Sequence, residues 1–294
     1  MKPTDGYVTA DDGVRLYFQR IGTGDRVLIV PNGPPLFDLL EPLAATHTVV
    51  AFDPVNRGRS DRIVDAARLE SLLEREANDI DAVRRHVGAA TVDLLGHSYT
   101  GTVLVLYARR HPEHVNRIIQ IGPAAPDGAV SHPRTPEDEA LLQSIFVRIL
   151  EVQRDTTPGS EEFCRRFWDA LRPLYVVDPA DVSKLDAFDR CDLETERHAG
   201  EHAMTRIVPA LAAMRLQADD VRAVTAPVLT IHGRRDRSGP YEGGRDWVRI
   251  LPNARLVSVE NAGHMPWIEK PAEVRSAIET FLGGGWPAAA ERVD

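Results

Sequence analysis

Val92-Asp93-Leu94-Leu95-Gly96-His97-Ser98-Tyr99-Thr100-Gly101 runs on into Val103-Leu104-Val105-Leu106-Tyr107-Ala108. An apolar segment that breaks at a glycine, presents a serine and resumes its apolar character predicts strand, sharp turn and helix. A turn of this kind holds its central residue in a strained backbone conformation, tolerated where the neighbours are small. Ser98 would stand clear of the sheet at a helix N-terminus, where unpaired N–H groups and the helix dipole favour the negative charge that develops in acyl transfer. The competing reading is an ordinary connection with Ser98 as an N-cap.

The surrounding chain fits the first reading. Tyr7–Ala10 and Val14–Gln19 flank Asp11-Asp12-Gly13, a hairpin signal. Val27–Val30, Thr48–Phe52, Arg117–Gly122, Val228–Ile231 and Ala254–Val259 are apolar runs without clear alternation, as strands buried on both faces require. Helical spacing of Leu69, Leu72, Leu73, Ala77, Ile80, Val83 and Val87 marks an amphipathic helix, and further helices are predicted near Glu242–Leu251 and over Pro271–Leu282. From Pro123 to about Val221 the pattern turns helical and charged, with Leu141, Leu142, Ile145, Phe146, Ile149 and Leu150 at helix spacing. The sequence therefore predicts an α/β fold with a mostly parallel central sheet and helices on both faces. Residues 1–123 and 222–294 form the expected core, and 124–221 an inserted helical cap. The tail from Gly283 is expected to be loose.

Two further polar residues follow strands late in the chain: Asp236 in Ile231-His232-Gly233-Arg234-Arg235-Asp236, and His264 in Asn261-Ala262-Gly263-His264-Met265-Pro266-Trp267. A serine hydroxyl needs a base to take its proton as it attacks, and the base needs an acid to fix its tautomer. Ser98, His264 and Asp236 are the candidates for those three roles. His97 and His232 are read as packing residues at the elbow and the strand end, and Asp53 and Asp93 as structural carboxylates.

Composition narrows the partners. With 35 Lys and Arg against 44 Asp and Glu, the net charge of −9 repels nucleic acid and anionic lipid surfaces. The N-terminus lacks the apolar run of a signal peptide, and no apolar run is long enough to span a bilayer. Cys164 and Cys191, the only cysteines, have no metal-ligand spacing and are expected to be reduced. The expectation is a cytoplasmic protein acting on a small molecule, with no cofactor, metal, nucleic acid or membrane partner. One competing motif, His198-Ala199-Gly200-Glu201-His202, matches a zinc-peptidase helix pattern. Gly200 weakens such a helix and no third ligand is marked.

The order serine, aspartate, histidine resembles that of the α/β-hydrolase superfamily. Within it, the chain looks most like the proline iminopeptidase-related group. That group's first oxyanion loop reads His-Gly-Gly-Pro-Gly, against Pro31-Asn32-Gly33-Pro34-Pro35 here, and its next strand ends in Asp-x-Arg-Gly-x-Gly-x-Ser, against Asp53-Pro54-Val55-Asn56-Arg57-Gly58-Arg59-Ser60. The loop departs at Pro31, Asn32 and Pro35, and Thr100 stands where the elbow usually has a glycine. The resemblance implies an oxyanion hole built from the Tyr99 amide and one from the loop. Prolines have no N–H to give, so Gly33 is the expected second donor and Asn32 the fallback, with Pro34 and Pro35 stiffening the loop.

The resemblance also implies a serine hydrolase that cleaves an ester or amide bond of a small-molecule or aminoacyl substrate. Carboxylester, thioester and carbon–carbon bond hydrolysis are alternatives on the same fold, and a non-catalytic ligand-binding protein is the alternative of another class. In the proline iminopeptidase group cap carboxylates hold the substrate amine, which nominates Glu194 and Glu196; a solvated acidic face explains the same run. Trp168, with Phe163, Phe167, Leu171 and Tyr175, is a candidate pocket wall or a cap packing stripe.

Overall fold

The computed structural model describes residues 3–33, 36–128, 132 and 134–294; Pro34 and Pro35, expected to stiffen their loop, lie outside them. Eight strands form one sheet: β1 Thr4–Thr9, β2 Arg15–Ile21, β3 Arg26–Pro31, β4 His47–Phe52, β5 Val92–His97, β6 Val115–Ile121, β7 Val228–Gly233 and β8 Ala254–Val259. Their order is β1-β2-β4-β3-β5-β6-β7-β8. β1 and β2 pair antiparallel, as do β2 and β4, and every pairing from β4 onward is parallel.

The continuous apolar runs are explained by what covers the sheet. Alternate residues point to opposite faces, so Ile29, Val50, Leu94, Ile118 and Leu256 enter one core while Leu28, Val49, Leu95, Ile119 and Val257 enter the other. Helices α1 (Leu72–His86) and α2 (Tyr99–Arg110) pack into the first core through Leu72, Ile80, Val103 and Leu106. Between β6 and β7 come α3 (Pro136–Asp155), α4 (Glu161–Leu171), a series of short turns and α5 (Val208–Ala213). After β7, α6 (Tyr241–Ile250) buries Trp247 in the first core, and the closing helix α7 (Pro271–Leu282) buries Val274, Ile278 and Phe281 in the second.

α3 forms where the apolar spacing predicts a helix, with Ile145 and Val152 buried and Phe146 and Leu150 exposed. Two expectations are corrected. The tail is docked, since Trp286 packs on Phe281 with ring centroids 5.1 Å apart and Glu291 exchanges two backbone bonds with Leu256. Cys164 and Cys191 are not reduced thiols; they form a disulfide with Cα atoms 5.7 Å apart. This removes the composition argument that leaned on free thiols for a cytoplasmic location. Among the described residues, no helix is long and apolar enough to cross a membrane.

Candidate active site

Ser98 sits between the end of β5 and the first turn of α2 with φ 58° and ψ −131°. A non-glycine residue with positive φ is strained, and such strain persists only where the surroundings enforce it. Here Ser98 N–H donates to Ile121 O at 2.9 Å, and Gly101 N–H donates back to Ser98 O at 3.0 Å. Gly96 makes the tight return possible: a Cβ there would lie 2.8 Å from Gly101 N. Ser98 makes no side-chain N-cap bond, so the capping interpretation has no geometric support. Tyr99 opens the helix, where the N–H groups of the first turn lack intrahelical acceptors.

His264 and Asp236 follow the two strands at the far side of the sheet. His264 Nδ1 and Asp236 Oδ2 are 2.7 Å apart, both side chains nearly inaccessible to solvent. The carboxylate is fully engaged. Its Oδ1 accepts from the N–H groups of Ser238 and Gly239, each at 2.8 Å, and Oδ2 also lies 3.1 Å from His232 Nε2. Burial works to raise the pKa of Asp236, but the charge of His264 and the hydrogen bonds from His232 and His264 outweigh it and hold the acid ionised. Because Asp236 accepts at Nδ1, His264 keeps Nε2 as the nitrogen able to take a proton.

His97 bonds His264 O through Nε2 at 2.9 Å, and its ring lies against those of His264 and Trp267 at 4.5 and 4.6 Å. Burial first, then the neighbouring His264, pushes the His97 pKa well down, so it is a neutral donor holding the His264 backbone. Tyr175 also stacks on His264, ring centroids 5.6 Å apart.

Ser98, Tyr99, His264 and His97 line one cavity of about 560 Å³, together with Asn32, Trp168, Tyr175, Phe188, Leu211 and Trp267 among others. Trp168 is thus in the wall, while Phe167 is buried beneath it against Gly200. The expected oxyanion fallback is corrected: the Asn32 N–H is committed to Phe52 O at 2.8 Å. Gly33, on the same turn, is packed against Ala51.

The two cap glutamates separate. Glu194, expected as an amine ligand, does not reach the cavity; its exposed carboxylate faces Arg62 at 3.3 Å. Glu196 does line it, but Arg57 grips both of its oxygens at 3.2 Å and the Gly58 N–H donates at 2.6 Å. Burial opposes both charges, yet each outweighs it for the other: Glu196 stays ionised below the usual carboxylate range and Arg57 stays charged. The sequence did not reveal this clamp, nor the two hydrogen bonds that Arg190 donates to the buried Asp53 at 2.9 and 3.0 Å. The signal for both was the polar segment after β4, Asp53 to Ser60, in which Asp53, Asn56 and Ser60 are buried.

His198, Glu201 and His202 do not bring their ligand atoms together as a metal group. His198 faces Glu201 at 3.5 Å, and His202 turns inward to Asn56 at 3.3 Å. Among the described residues, the group of potential metal ligands that lies close together is His111, Glu113 and His114, on the turn after α2.

A family model for the alpha/beta hydrolase fold matches residues 31–271. A proline iminopeptidase of Heyndrickxia coagulans is 23% identical, the match covering 95% of this chain and 98% of that protein. A 2-hydroxy-6-oxononadienedioate/2-hydroxy-6-oxononatrienedioate hydrolase of Cupriavidus pinatubonensis is 25% identical over 95% and 96%. Among solved structures, a thermophilic esterase from Thermogutta terrifontis superposes with TM-score 0.69 at 23% identity, covering 96% of this chain and 98% of that one. At that identity the structural likeness speaks to the fold.

Proposed function

Since the chain belongs to the α/β-hydrolase family, we propose that it is a serine hydrolase that cleaves esters of small, largely apolar carboxylic acids through an acyl-enzyme. The observation that carries this reading is the 2.7 Å Asp236–His264 pair on the same cavity as a strained Ser98. Ser98 Oγ attacks the ester carbonyl as His264 Nε2 takes its proton, and Asp236 stabilises the imidazolium. The oxyanion is met by the Tyr99 N–H and, as second donor, that of Gly33. His264 then protonates the departing alcohol, and a water activated by the same imidazole releases the acid.

The helical segment between β6 and β7 acts as the cap that shapes the acyl site. A cavity of about 560 Å³ with Trp168, Tyr175, Phe188, Leu211 and Trp267 in its wall suits an apolar acyl group. An aminoacyl substrate fits less well, because its ammonium would need a free carboxylate. Glu194 is outside, the charge of Glu196 is already answered by Arg57, and Asp189, the other carboxylate in the wall, accepts from the Cys191 N–H and faces Arg165 at 3.6 Å and Arg172 at 3.9 Å.

The test compares p-nitrophenyl acyl esters with aminoacyl p-nitroanilides carrying free or blocked amines. Esters are expected to be cleaved with the higher kcat/KM, and Ser98→Ala to abolish both turnover and labelling by a fluorophosphonate. A strong preference for the free amine would overturn the ester assignment. Binding of ester without turnover would return the chain to a ligand-binding role.

A further inference from the structure

The triad acid has a second imidazole. His232, at the end of β7, is fully buried, and its Nε2 lies 3.1 Å from Asp236 Oδ2 and 2.9 Å from Gly239 O. A carboxylate held ionised and a carbonyl are both acceptors, so Nε2 must carry the proton and share it between them. The tautomer of His232 is therefore set by its surroundings.

The opposite side of the ring is closed. His232 Nδ1 is buried with no hydrogen-bond partner. Helix α6 backs directly onto it: a Cβ at Gly244 would lie 2.3 Å from Nδ1. Tyr241 adds an edge contact at 5.7 Å. The ring has nowhere to retreat, and its one donor is aimed at the oxygen that His264 also uses.

We infer that His232 is a positioning residue for catalysis, which fixes the Asp236 carboxylate so that Oδ2 meets His264 in one geometry and which ties the Asp236–Gly239 turn to the cavity wall. With His232 in place, all four acceptor positions of Asp236 are filled: two backbone amides on Oδ1 and two imidazoles on Oδ2. The bond to Gly239 O matters separately, because Ser238, Gly239 and Pro240 line the cavity. This inference rests on the assignment of Asp236 and Ser98 to the catalytic set.

These variants test it: His232→Leu, which removes the donor; His232→Gln, which can return an N–H near the Nε2 position; and Gly244→Ala, which pushes the ring from behind, made both in the native protein and in a His232→Ala background. The readouts are the rate of Ser98 phosphonylation by a fluorophosphonate, kcat and KM on an acyl ester, and Tm. Loss of one bond to a charged group predicts about tenfold slower phosphonylation and kcat in His232→Leu, with KM nearly unchanged. Recovery of most of that rate is expected in His232→Gln.

Gly244→Ala should slow the native protein but add nothing in a His232→Ala background, where the clash is gone. That arm decides the matter if His232→Leu does not fold. Native phosphonylation and kcat in His232→Leu, or a Gly244→Ala effect that persists without the imidazole, would overturn the inference. If Ser98→Ala itself still reacts with the probe, it is the serine assignment that fails.

Discussion

At the scale of single residues, the most exacting arrangement after the Asp236–His264 pair is Glu76. It lies on α1, 2% exposed, with the Tyr99 hydroxyl as the polar group beside its carboxylate. Burial, followed by the charge of Asp79, pushes its pKa from 4.5 to about 8. The folded protein therefore binds this proton more tightly than the unfolded chain does. Its contribution to stability is complete below about pH 4.5 and is lost as pH rises through about 8. Asp79 adds to the same trend: burial, partly offset by Arg75 at 2.8 Å, brings it to about 7. Tm is expected to fall between pH 5 and pH 9, and Glu76→Gln, which cannot ionise, to flatten that fall. Parallel Tm profiles for the two proteins would remove Glu76 as the cause.

At the scale of elements, the Cys164–Cys191 disulfide joins α4 to the turn that carries Asp189 and Arg190 into the cavity wall. The same stretch is tied to the core by Arg190 on Asp53 and by Glu196 on Arg57 and Gly58. Two cysteines 27 residues apart in a charged helical segment gave no pairing signal, because their approach depends on tertiary packing rather than on any local pattern. The outward face of α3 was illegible for a related reason: helix spacing reveals an apolar stripe but not what it packs against. Closing a loop of this length constrains the unfolded chain by about 3.5 kcal/mol. Cys164→Ser paired with Cys191→Ser, or reduction of the native protein, is expected to lower Tm and raise KM with less effect on fluorophosphonate labelling of Ser98. Unchanged Tm and KM under full reduction would show that the bridge supports neither.

At the scale of the whole molecule, the parts of the fold that the sequence announced are those with a strict physical pattern. Buried parallel strands must be apolar on both faces, and Val27–Val30, Thr48–Phe52 and Ala254–Val259 were readable for that reason. The elbow was readable because a strained serine demands small neighbours such as Gly96 and Gly101. Side-chain destinations were not. Glu194 and Glu196 stand two apart in one acidic run, yet one faces solvent and Arg62 while the other is sealed against Arg57. The difference arises from a partner in a distant segment, which no local pattern encodes. It also has a measurable consequence. Removing the charge of Glu196 leaves the half-buried Arg57 without its paired carboxylate, with only the charge of Asp53 still acting on it, a defect of up to about 3 kcal/mol. Glu196→Gln should therefore lower Tm and weaken turnover of every acyl ester alike, whether or not the substrate has an amine. Glu194→Gln should leave Tm and kcat/KM close to native. The comparison is made with matched esters that differ only in a free or acetylated amino group. A loss confined to the free-amine substrate in Glu196→Gln, with Tm unchanged, would mean that Glu196 binds an ammonium after all, and the cavity would have to be reassigned to aminoacyl substrates.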